Sequence, residues 1–135
     1  MSKALAFISN NAAQALTSGA NVSPGTAQHG FGCTRCGRTV QLRGTDINLR
    51  ESGYYQVDVG ATVSATAAGN VTLSLYQDGA LVAQGSEAIA AANDPASISF
   101  PASVKVNCSS ALTLVVTSTA GNPIVTSIYT TIEKA

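Results

Sequence analysis

Over most of the C-terminal two-thirds of the chain, apolar and polar positions alternate with period two, the mark of strands with one buried face. In the run that begins at Gly53, Tyr55, Val57, Val59, Ala61 and Val63 fall on one side, and Tyr54, Gln56, Asp58, Thr62 and Ser64 on the other. After a break at Ala67-Ala68-Gly69-Asn70, Val71, Leu73 and Leu75 alternate with Thr72, Ser74 and Tyr76. Asp78-Gly79 between two such runs predicts a tight hairpin, because both central residues of a type I′ turn need positive φ. Ala80–Ala83 is the predicted return strand. Pro101, between Ser97–Phe100 and Val104–Val106, has no N–H to give to a ladder and predicts an edge strand or a bend. Leu112, Leu114 and Val116 share a face. Past the turn residues Gly121-Asn122-Pro123, Ile124, Thr126, Ile128, Thr130 and Ile132 alternate with Val125, Ser127, Tyr129 and Thr131. Both faces of this last run carry apolar bulk, which predicts a central strand or one lying against another subunit.

The first third reads differently. Leu5–Ile8 predicts a strand, and Thr39–Leu42 and Asp46–Leu49 predict two short ones either side of Gly44. Residues 10–32 are rich in Asn, Gln, Ala, Ser, Thr and Gly. A helix over Asn11–Thr17 has little support there, so this stretch is expected to be a long, irregular arm. About eight to ten short strands with regularly spaced turns predict an all-β chain, a single jelly-roll β-sandwich with an extended N-terminal arm. The expected division is an arm with the first strand over 1–32 and the jelly-roll domain over 33–135.

The run DINLRESGYYQVDVGATVSATAAGNVTLSLYQDGALVAQGS, with LTLVVTSTA and IVTSIYTTIEKA further on, resembles the jelly-roll domains of the tumour-necrosis-factor and complement-globular-head superfamily. The likeness lies in an Ile-x-Leu strand, a Gly-Tyr-Tyr-x-Val strand, an Asp-Gly hairpin and a last strand ending near Ile132-Glu133-Lys134, and it spans roughly residues 39–135. Such domains cap fibres and collagen-like stalks or decorate capsids in phages and spore-forming bacteria. The resemblance implies a homotrimer around a three-fold axis. The Gly-Tyr-Tyr strand and the final strand would face that axis, with Tyr54, Tyr55, Tyr129 and Ile128 at the interface.

Composition sharpens this picture. Of 135 residues 45% are hydrophobic and only 10% charged, with seven basic residues balancing seven acidic ones. A neutral, charge-poor chain is a poor partner for nucleic acid or an anionic membrane, both of which are held largely by charge. It also has little to keep its sheet edges apart, and closing them into an oligomer is the simplest remedy. Met1–Ile8 holds one Lys and a short apolar run, which predicts neither a secretory signal nor a membrane span.

Candidate chemistry is sparse. His29, Cys33 and Cys36 form the one cluster with metal-ligand character, but a zinc site needs a fourth ligand and Cys108 stands alone. Reduced thiols, a disulfide and a metal site all remain open; no cofactor is expected. With one His and no Gly-x-Ser-x-Gly elbow, nucleophilic catalysis lacks its parts. Asp58, Asp78, Glu87 and Asp94 are the acids to consider for glycoside chemistry. Arg35, Arg38, Arg43 and Arg50 form a basic strip, which reads either as a solvated strand face or as a match for an acidic surface on a partner.

The expected function is non-enzymatic: a trimeric phage capsid decoration (cement) or head-fibre protein, assembled in the host cytoplasm and carried on the virion. The four arginines would meet the major capsid protein or another virion component, and the arm would lie on a neighbour. The alternative is a receptor- or glycan-binding tip domain, with Asp78, Asn93, Asp94 and Asn122 as contacts.

Overall fold

The structure, a computed structural model, describes residues 3–30 and 40–134, with side chains for residues 6–26 and 40–134. The described strands are β1 (Lys3–Asn10), β2 (Gln14–Ala15), β3 (Ala20–Asn21), β4 (Thr26–Gly30), β5 (Val40–Arg43), β6 (Asp46–Leu49), β7 (Gly53–Ala65), β8 (Gly69–Gln77), β9 (Ala80–Ile89), β10 (Ala96–Val106), β11 (Ser110–Ser118) and β12 (Pro123–Lys134). They form two antiparallel sheets. One, sheet A, has the order β10-β7-β12-β1-β4; the other, sheet B, has the order β5-β6-β11-β8-β9. This is a jelly-roll sandwich, and the alternation explains how it closes. Tyr55, Val57, Val59 and Val63 of sheet A and Val71, Leu73, Leu75, Leu112, Leu114 and Val116 of sheet B all point inward and are essentially inaccessible.

Local chemistry explains the joints. Asp78 and Gly79 both have positive φ, 50° and 87°, as the β8–β9 hairpin requires. Pro101 sits in β10, the outermost strand of sheet A, paired on one side to Asp58. There the missing N–H faces away from the ladder.

Residues 10–30 are not the irregular arm that their composition predicts. The chain passes from β2, paired to Ile124 and Val125 of β12, to β3, paired to Val115 and Val116 of β11, and back to sheet A as β4 beside β1. It thereby laces one end of the sandwich across both sheets. Val22 is fully buried, and its N–H donates to the Leu114 carbonyl at 2.8 Å. The Gln14 amide holds Ser23 from both sides, accepting from its N–H at 2.9 Å and donating to its carbonyl at 3.0 Å. Removing residues 1–30 would therefore take out β1, which lies between β12 and β4.

The last strand is central as expected, between β7 and β1, but its faces differ from simple alternation. A bulge between Val125 and Ser127 inserts Thr126 against β7. One extra residue switches the parity of everything on one side of it. Val125 is buried on the N-terminal side of the bulge; Ile128, Thr130 and Ile132 are buried after it, and Ile124 is left half-exposed.

Candidate functional site

Parity decides which of the predicted interface residues can meet a partner. Tyr54 and Tyr129 point outward from sheet A and are 60% and 44% exposed, whereas Tyr55 and Ile128 are 1% and 2% exposed inside the sandwich. The assignment of Tyr55 and Ile128 to an interface is thus corrected: each is the sequence neighbour of an outward tyrosine, and neighbours on a strand face opposite ways. Tyr55 instead anchors a corner of its own chain. Its hydroxyl donates to the Glu51 carbonyl at 2.6 Å, and the Lys134 ammonium lies 5.9 Å from its ring centroid. Lys134 also pairs with the Glu51 carboxylate at 2.6 Å, tying the end of β12 to the β6–β7 connection. Burial holds the Tyr55 phenol above its ordinary 10.0, and the hydrogen bond to Glu51 holds Lys134 above its ordinary 10.5.

Tyr129 organises the outward face of sheet A. In register it stands opposite Gly60 of β7 on one side and Ser9 of β1 on the other. Its ring lies down over Gly60: a Cβ at that position would collide with the ring and its hydroxyl, so only glycine admits this pose. On the other flank the Phe7 ring is stacked near-parallel, 9° between planes and 6.3 Å between centroids. Two shallow hollows flank the tyrosine. One of about 280 Å³ is floored by Gly60 and Ala61 and edged by Ser97, Ser99 and Ser127, and one of about 470 Å³ runs along Asp58, Pro101 and Thr131. Among the described side chains, charge on this face gathers at one end, where Asp58, Lys105 and Glu133 lie; Lys105 stands 5.7 Å from the Tyr54 ring centroid.

The remaining predicted residues scatter. Arg43 and Arg50 lie on the other sheet, exposed at β5 and just beyond β6. Arg35, Arg38, Cys33 and Cys36 fall outside the described residues. His29 belongs to β4, in register with Phe7, but its side chain is not among those described. Among the described residues no three His, Cys, Asp or Glu side chains gather. The acids are also apart: Asp58 is on sheet A, while Asp78 sits in the β8–β9 turn, where its carboxylate accepts from the Ala111 N–H at 2.9 Å, and Glu87 is on β9. The loop residues of the glycan-binding alternative divide between the two ends of the sandwich. Asn93 bonds the Ala65 carbonyl and Asn122 receives the Thr66 N–H, at the end opposite Asp78.

Nothing local in the sequence announces the Glu51–Lys134–Tyr55 corner or the Phe7–Tyr129 stack. Each joins residues far apart along the chain. The one available signal is Gly60 itself, a glycine interrupting an otherwise strong strand, which marks a close approach.

The sequence matches no family model and no curated protein. The fold does have counterparts among solved structures. A tumour necrosis factor, Eiger from S. frugiperda, superposes with a TM-score of 0.73 at 14% identity, over 99% of this chain and 92% of that one. The globular domain of zebrafish complement 1qA protein gives 0.65 at 9% identity, over 96% and 95%. Murine APRIL gives 0.64 at 12% identity, with the full length of both chains covered. The chain therefore carries the jelly-roll fold of tumour necrosis factor and the complement globular head.

Proposed function

We propose that this chain is a non-enzymatic assembly module that forms a homotrimer through the outward face of sheet A. The observation that carries this is the Tyr129 platform. An exposed tyrosine, stacked on Phe7 and seated on Gly60, rises between two hollows edged largely by Ser and Thr. Tyrosine gives large amphipathic contact area with few torsions to freeze, which suits the centre of an interface. A three-fold contact is head-to-tail, so it needs a projection and a recess on different parts of one surface, and this face offers both.

Within that reading, the finer proposal is a phage capsid decoration or head-fibre protein bound to the major capsid protein, assembled in the host cytoplasm and carried on the virion. The sequence resemblance and the charge-poor composition support it. The first test is the mass in solution by light scattering, where three copies of the 13.6-kDa chain are expected. A monomer at micromolar concentration refutes the trimer. Co-sedimentation with purified capsids then tests the particle role separately: a trimer that never sediments with them is a trimer with another use.

A further inference from the structure

We infer that the outward face of the β5–β6 hairpin binds an anionic saccharide unit, one sugar carrying a carboxylate or sulfate, between Arg43 and Arg50. This site lies on sheet B, away from the Tyr129 face, and does not depend on the trimer. Alternation builds it. Leu42 and Ile47 are paired and Ile47 is buried, so the intervening positions Gln41, Arg43, Asn48 and Arg50 point outward. The β10–β11 turn adds Ser109, because Ser110 pairs with Leu49 and brings that turn alongside Arg50. These five residues line a hollow of about 240 Å³.

The chemistry of the lining selects the ligand. Two guanidiniums supply forked donors, which match a carboxylate or sulfate edge-on. Two carboxamides and a hydroxyl offer donors and acceptors together, the complement of sugar hydroxyls. Among the described residues no aliphatic or aromatic side chain lines the hollow, so their lining lacks the apolar anchor that a peptide or protein hot spot uses. Its volume is below the roughly 300–1,000 Å³ of clefts for drug-sized ligands, and suits a single ring.

The guanidiniums are also available. Among the described residues neither Arg43 nor Arg50 forms an ion pair; the sole such pair is Lys134 with Glu51. Asp46 stands opposite Arg43 in the ladder, but its carboxylate accepts from the Thr113 hydroxyl at 3.0 Å. Arg50 donates to the Gln41 amide oxygen at 3.3 Å, which steadies one fork and leaves the amide N–H₂ to face a ligand.

Calorimetric titration of the full chain with digalacturonate, a sulfated heparin disaccharide and maltose tests the site. One or both charged disaccharides should bind and maltose should not, and which of the two binds tighter identifies the anion. Arg43→Ala and Arg50→Ala should each weaken binding by about tenfold, as for a lost charge-assisted contact. Lys105→Ala, on the other sheet, should leave it unchanged. Both arginines are exposed, so the variants should keep the parent circular dichroism spectrum. Four results would each overturn the inference: no binding of either charged disaccharide up to about 10 mM, full binding by the Arg43→Ala/Arg50→Ala double variant, equal binding of maltose, or inorganic sulfate or tetraglutamate bound as tightly as the charged sugars.

Discussion

The two outward faces of the sandwich are built from similar residues and finished in different ways. On sheet B the polar side chains bond to one another across strands: Thr72 to Ser86 at 2.6 Å, Ser74 to Gln84 at 3.2 Å, Thr113 to Asp46 at 3.0 Å. On sheet A one such link is found among the described residues, Ser103 to Gln56 at 3.1 Å, and the aromatic side chains Phe7, Tyr54 and Tyr129 stand out instead. Cross-strand hydroxyl and amide pairs stabilise a sheet and leave it content in water. A face with open hydroxyls around a raised tyrosine has contacts still to make. Composition does not separate the two, since both are rich in Ser and Thr; pairing does.

The sharpest way to break this comparison uses two adjacent residues of β12. Ile128 serves the core and Tyr129 serves the outward face. Ile128→Ala should cost about 2–5 kcal/mol in unfolding free energy, because a fully buried aliphatic side chain leaves a cavity. The subunit number in light scattering should not change. Tyr129→Asp should do the opposite. The exposed position tolerates the change with a stability loss of about 1 kcal/mol or less, while the oligomer falls to monomer because a carboxylate is placed at the centre of the contact. Ala88→Asp, exposed on sheet B opposite Asn70, is the control and should leave the mass alone. If Tyr129→Asp stays trimeric, sheet A is not the interface.

Those two neighbours also show what the sequence could and could not say. Alternation alone puts Tyr55 inside and Tyr54 outside, and the structure agrees. The resemblance attached both tyrosines to an interface because it speaks for strands, whereas faces are set residue by residue. In β12 even alternation was insufficient. Its parity depends on the bulge at Thr126, and a run of Ile, Thr and Val with apolar residues at both parities gives no sign of where a bulge falls. The lacing segment was hidden for another reason. β2 and β3 are two residues each, too short to show any period, and are fixed by long-range backbone bonds such as Gly19 N–H to the Val116 carbonyl at 2.7 Å. The Asp78-Gly79 turn lay at the other extreme, since its geometry is decided by two residues. The site at Arg43 and Arg50 was half legible: their charge was plain, but the hairpin and the Ser109 turn that make a hollow of them needed the fold.

The bulge has a consequence for stability. By switching parity it turns Thr130 into the core, where the residue is fully buried and its hydroxyl has no hydrogen-bond partner among the described residues. Desolvating a hydroxyl without replacing its hydrogen bonds is unfavourable, and valine has nearly the same shape. Thr130→Val should therefore raise the unfolding free energy by about 1 kcal/mol. Thr131→Val, one position along and facing out, should change it by less than about 0.5 kcal/mol. Chemical denaturation of the two variants side by side measures the difference, and a destabilised Thr130→Val would show that the hydroxyl is satisfied after all.

The smallest effect concerns the paired tyrosines of β7 in alkali. Tyr55 is held above its ordinary value of 10.0 by burial, and its neighbour Lys134 above 10.5 by the hydrogen bond to Glu51. Both groups keep their protons to higher pH folded than unfolded, so the folded chain binds more protons in that interval and stability falls as pH rises through it. Below the unfolded values this contribution is fully present; it is lost as pH climbs from about 10 past the raised folded values. The melting temperature should accordingly be flat between neutral pH and about pH 9.5 and decline above it. Tyr55→Phe should lose about 0.5–1.5 kcal/mol at neutral pH with the hydrogen bond to the Glu51 carbonyl, but decline less steeply in alkali. Equal alkaline slopes for the parent and Tyr55→Phe would mean that burial does not hold the Tyr55 proton, and the account of that corner would fail.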